Sequence, residues 1–225
     1  AVRPGAVRKE VPANPRAFEL FLRAMEHARQ LSETGLARDL FLQATHEDAG
    51  FAPAWGALGR CHRVFGKYFE DRDANDRRAE EAFKRALDIS PDLPLAHRFY
   101  THFESEHGRA GDAIARLLRH AAVNRHDAQL FAGLVHACRY AGLFDASVAA
   151  HEEAIRLDPN VATSIEYTLA HFPDRIDAAA RMGPVDLGFL DGIFPAIALG
   201  DPADVRSILA GIDMRTVPPA FQRSF

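Results

Sequence analysis

The chain has 225 residues, 48% of them hydrophobic and 26% charged, enough to bury a sizeable core. A formal net charge of −4 carries no global basic excess, so nucleic acid is not expected as a partner. Cys61 and Cys138 are too few for a disulfide framework and read as buried thiols of a reducing, cytoplasmic setting, and no apolar run reaches the ~20 residues that span a bilayer.

In chain order, residues 1–17 read as an extended linker. The opening AVRPGAVRKEVPANP has basic residues but no following apolar core, which excludes a secretory signal. It also has no initiator Met, so the chain is expected to be processed or to be a segment of a longer protein.

Internal repetition begins after that. AEEAFKRALDISPD (79–92) and SVAAHEEAIRLDPN (147–160) each read as an amphipathic helix that opens on a small residue and is stopped by proline. Pro91 and Pro159 stand 68 residues apart, twice 34. A 34-residue frame gives units 18–51, 52–93, 94–127 and 128–161. The second unit is 42 residues long and carries an insertion near 67–74, KYFEDRDA, expected as loop between its two helices. Asn75, beside that insertion, is therefore expected to tolerate a bulky apolar replacement.

Packing chemistry explains the repeated residue types. Ala37, Ala79, Ala113 and Ser147 fall where a second helix crosses the first of its own unit, and a larger side chain would push the axes apart. Phe41, Trp55, Phe83 and Phe131 fill larger spaces. Gly66, Gly108 and Gly142 are expected to end first helices in a left-handed conformation. His62, His97 and His151 fall at packing positions and are expected as sheltered, hydrogen-bonded rings. In the third unit His97 and His120 stand where an aromatic and an alanine are expected.

With these residues, the stretch 14–161 resembles the tetratricopeptide repeat family, whose units run about 34 residues. The fold implied is all-α, a right-handed α-solenoid of helix–turn–helix repeats. Past 161, ATSIEYTLAHF (162–172) reads as a further first helix and RIDAAARM (175–182) as a shortened second one. Residues 162–212 are expected as irregular, repeat-like closing helices, and 213–225 as an extended tail. The apolar stretch with Phe189, Leu190 and Phe194 is no polar cap, so docking back on the array or self-association through 184–225 is expected.

Sequence motifs for catalysis are not found: there is no glycine-rich phosphate loop, no Gly-x-Ser-x-Gly, and no kinase signature. His97, His102 and His107 step by five, about 140° around a helix, and share no face. No enzyme activity, cofactor or metal is expected. The family resemblance implies instead that first helices line a concave groove, and its groove positions map onto Glu19, Leu22, Glu26 and Arg29, onto Gly56, Arg60 and Arg63, onto Leu95, Arg98, His102, Ser105 and Glu106, and onto Gln129, Ala132, His136, Arg139 and Tyr140. The expected recognition surface is Arg60, Arg63, Arg98, His102, His136 and Arg139. Guanidinium groups suit carboxylate or phosphate, so the expected partner is a protein or peptide, anionic where it enters the groove. Chaperone-tail clamping is not implied, because no Asn stands at the ninth position of any unit. NPRAFELFLRA (14–24) also resembles the start of repeat regions in bacterial signalling proteins, which makes a regulatory segment of a kinase, cyclase or transcription regulator the alternative role.

Overall fold

The structure, a computed structural model, describes residues 11–69 and 71–172, together with residues 207 and 210. The described residues are helical with no strand among them, and they group into two compact units divided between Phe103 and Glu104.

In the first unit, α1 (Pro15–His27) starts at a capping signal. Asn14 Oδ1 accepts from the Arg16 amide, and Pro15 occupies the first helical turn, where its missing N–H is no loss. Residues 15–17 are thus helix rather than extended linker, because Asn-Pro starts the helix ahead of the 34-residue frame. α1 packs on α2 (Thr34–Glu47), α2 on α3 (Ala52–Tyr68), and α3 on α4 (Arg72–Ile89). Ala37 and Ala79 are fully buried at the crossings. Phe21 meets Phe41 and Phe51 at ring distances of 5.6 and 5.0 Å, around Leu20, Leu40 and Leu58. α5 (Pro94–Glu106) adds Tyr100 and Phe103 to this unit, and their rings lie 5.4 and 5.9 Å from that of Phe83. Phe83 in turn needs Gly59: a Cβ there would stand 2.7 Å from the ring.

The insertion is not a loop. α3 runs 17 residues and α4 18, so the extra residues lengthen both helices and leave only a short turn between them. That turn is held by Asp71, at φ 45°, whose Oδ1 accepts from the Ala74 amide. Gly66 consequently does not end its helix. It is buried inside α3, where a Cβ would lie 2.9 Å from the Asn75 Cβ, so it serves close approach of α3 and α4. Asn75 is an interior residue, 3% exposed, joining His62 Nδ1 (2.9 Å) to the Asp71 carbonyl (3.1 Å). The expectation that Asn75 tolerates a bulky apolar group is overturned by those contacts.

In the second unit, Gly108 and Gly142 do take φ +74°. After each, the Arg109 and Leu143 amides reach back to the Glu104 and Cys138 carbonyls, while the glycine amides bond Ser105 and Arg139. These paired bonds satisfy the last carbonyls of α5 and of α7 (Ala128–Tyr140). α6 (Ala110–Val123), α7 and α8 (Phe144–Leu157) enclose Leu117, Leu130, Leu134 and Val135. Ala113 and Ser147 are fully buried, and Ser147 Oγ donates to the Val135 carbonyl at 2.8 Å and lies 2.8 Å from Thr168 Oγ1.

Residues 162–172 form a shorter helix than expected, α9 (Ile165–Leu169). Thr163 and Ser164 are held outside it by hydrogen bonds to His151 and Arg139. The expected elements over 175–182 and 184–200, the tail 213–225 and the self-association surface lie outside the described residues. Of 201–212, Ser207 and Ala210 are helical and exposed. Among the described residues, no helix is long and apolar enough to cross a membrane.

Candidate functional site

The six expected groove residues fall four in the first unit and two in the second. Arg60 and Arg63 lie on α3, Arg98 and His102 on α5, all half-buried. Spacings of three and four residues put each pair on one helix face. Arg60 reaches in two directions, donating through Nη1 to the Ala28 carbonyl (3.1 Å) at the end of α1 and lying over the Phe99 ring at 5.6 Å. Burial disfavours the charged form of Arg98, and the like charge of Arg60 adds to that effect. Arg60 thus lies over an aromatic ring of α5, the helix that carries Arg98. α1 and the turn that follows it offer Glu26 and Arg29 instead, which pair with each other at 3.5 Å in solvent.

In the second unit, His136 is 6% exposed, stacks on Tyr140 at 4.6 Å, and accepts from Arg139 Nη2 at 3.1 Å. Arg139 also donates to the Ser164 carbonyl and hydroxyl at 2.7 and 2.9 Å, and lies over the Tyr167 ring at 5.2 Å. Burial disfavours its charge, while Tyr140, Glu166 and Tyr167 favour it. Burial likewise pushes the Glu166 carboxyl up, opposed by its own backbone amide and by Arg139. Arg139 thus spends its guanidinium on tying residue 164 to α7.

Other groove positions are filled by protein. A Cβ at Gly56 would lie 2.9 Å from Leu95 Cδ2, and Ser105 and Ala132 are buried. The histidines at packing positions behave as expected: His97 donates to the Pro91 carbonyl at 2.8 Å, and His62 and His151 bond Asn75 and Thr163. Among the described residues, no three of His, Cys, Asp or Glu are grouped to hold a metal ion.

A cleft that the repeat frame did not point to lies in the first unit. It encloses about 680 Å³ between α2, α3 and α4, with Leu42, Trp55, His62, Arg78, Glu81 and Arg85 among its lining. The sequence signal for it is the run Arg78, Glu81, Arg85 at spacings of three and four on a second helix, away from the expected groove.

No protein-family model matches the sequence, and no curated protein matches it either. Solved structures do match. PilF of Pseudomonas aeruginosa, at 18% identity, aligns over 86% of this chain and 88% of its own, with a TM-score of 0.56. MamA (AMB-1), also at 18%, aligns over 89% of this chain and 95% of its own with a TM-score of 0.42. Cut9, from the anaphase-promoting-complex hetero-tetramer Cut9–Hcn1, aligns at 14% over 86% of this chain and 45% of its own, with a TM-score of 0.40. At such identities the likeness is one of fold.

Proposed function

We propose that this chain, whose described residues form a helical array of tetratricopeptide-type repeats, is a non-catalytic interaction scaffold. It holds an acidic segment of a partner protein against the first helices of its repeats. The observation that carries the reading is Arg60 on α3 reaching over the Phe99 ring of α5, the helix that carries Arg98. A carboxylate or phosphate reaching both helices accepts charge-assisted hydrogen bonds, which guanidinium forks make well. Arg63 and His102, one turn further along each helix, extend the same faces. Arg139 and His136 support this role differently: they fix the segment around Ser164, and we assign them to shaping the second unit rather than to ligand contact.

The test is selection of binding peptides from a random library with the full chain, followed by affinity measurement. Charged contacts on a solvated face weaken as salt rises, since the screening length is about 8 Å at physiological ionic strength. Selected peptides should be acidic and bind less tightly at high salt. Arg98→Ala should cost about 1.5–3 kcal/mol of binding, the value of a hydrogen bond to a charged group. Peptides indifferent to both salt and Arg98→Ala would overturn the reading.

A further inference from the structure

The cleft of the first unit has a chemistry of its own, separate from the α3–α5 face. One wall is α4, carrying Arg78, Glu81 and Arg85. The opposite wall is α2 with Leu42, which is 41% exposed, and the floor is α3 with Trp55 and Leu58. Arg38, at the rim, is already engaged, 2.8 Å from Asp39 and 4.6 Å from the Phe65 ring. Trp55 donates its indole N–H to the Ala49 carbonyl at 3.0 Å, so the ring offers the cleft apolar surface. His62 commits Nδ1 to Asn75, and burial lowers its pKa, which leaves an uncharged ring on the floor. Asp39 on α2 also lines the cleft but is paired with Arg38, whereas on α4 Arg78, Glu81 and Arg85 make no ion pair among the described residues.

We propose that this cleft is a second binding site. Its ligand is an extended peptide segment with two carboxylates three residues apart and an apolar side chain directly after the first. Seven residues separate Arg78 from Arg85, which at 1.5 Å per residue is about 10 Å along one face of α4. In a polyproline-II segment, side chains three residues apart share a face and stand about 9 Å apart. The two carboxylates then fall opposite the two arginines. The residue after the first acid projects about 120° away, from the α4 wall to the floor, where Trp55 and Leu58 receive it. The third position faces solvent. Glu81 stands between the arginines and repels a carboxylate placed midway, which fixes the spacing rather than the mere presence of acid. This site does not depend on the α3–α5 reading and survives its failure.

Trp55 is the chain's single tryptophan, so its fluorescence reports occupancy directly. A capped peptide of pattern Pro-Asp-Leu-Pro-Asp-Pro, titrated into the full chain, should shift Trp55 emission saturably. Arg78→Ala and Arg85→Ala, both at exposed positions and checked for folding by circular dichroism, should each weaken binding about tenfold, the lower bound for a charge-assisted hydrogen bond. Arg98→Ala should leave it unchanged. A peptide with the two acids adjacent should bind poorly to the parent chain and better to Glu81→Gln. Three results would overturn the proposal: no saturable change in emission, a change untouched by both α4 variants, or free glutarate binding as tightly as the peptide.

Discussion

Replacing Asn75 by leucine removes a side chain that is 3% exposed and links two helices through His62 and the Asp71 carbonyl. His62, 9% exposed, would keep its Nδ1–H without an acceptor, at a cost of about 1–3 kcal/mol. The Asp71 carbonyl retains the Asn75 backbone amide at 3.0 Å, so little is lost there. Leucine is also bulkier at γ, beside a contact so close that a Cβ on Gly66 would stand 2.9 Å away. Overpacking of this kind costs about 1–3 kcal/mol. Transfer of the apolar side chain from water returns about 1.5 kcal/mol. The expected net destabilisation is about 2–3 kcal/mol, and Asn75→Ala, which keeps only the first penalty, should cost about 1–3 kcal/mol. Urea unfolding followed by Trp55 fluorescence measures both, with exposed Arg77→Ala as the control, expected within about 0.5 kcal/mol of the parent. An Asn75→Leu chain as stable as the control would return residue 75 to a solvated loop and refute the lengthened helices.

Three further outcomes are expected. Ala113→Leu should cost about 1–3 kcal/mol by forcing α6 away from its neighbour, whereas Ala122→Leu, at an exposed position of the same helix, should be nearly neutral in urea unfolding. Gly59→Ala should destabilise by pressing on the Phe83 ring, and a double-mutant cycle with Phe83→Leu should show the two changes costing less together than their sum. The third concerns pH. Burial lowers the pKa values of His62 and His151 in the folded chain below their ordinary 6.5. As pH falls through 6.5 the unfolded chain binds protons that the folded chain refuses, so stability is full above that value and declines below it. Glu166, its pKa raised by burial, acts in the opposite sense nearer the carboxylate range. The comparison is therefore between the parent and His62→Gln: urea midpoints from pH 7.5 to pH 5.5 should fall less steeply in the variant. Parallel slopes would show that His62 is not sheltered.

The periodic part of the fold was legible because it is enforced locally. Proline stops, small residues at crossings and two glycine ends each leave a mark within one unit. The insertion was misread because residues 71–78, mostly polar, carry no apolar stripe, and a buried Asn looks like a loop Asn until its partner is known. That partner, His62, sits on the other helix, beyond the reach of any periodic pattern. The candidate site divides the same way. A repeat frame places Arg60, Arg98 and Arg139 on first helices, but it does not reveal that Arg60 and Arg139 also bond main-chain carbonyls at Ala28 and Ser164. The α2–α4 cleft escaped notice because it is built on second helices, where alternating charge reads as solvated surface.

The contact face itself is most directly tested by photo-crosslinking a library-selected acidic peptide that carries a benzophenone group to the full chain. Crosslinks mapping to α3 and α5 around Arg60, Phe99 and Arg98, and lost in Arg98→Ala, are the predicted result. Crosslinks that avoid both helices, and persist in Arg98→Ala, would contradict the assignment of the first helices as the binding surface.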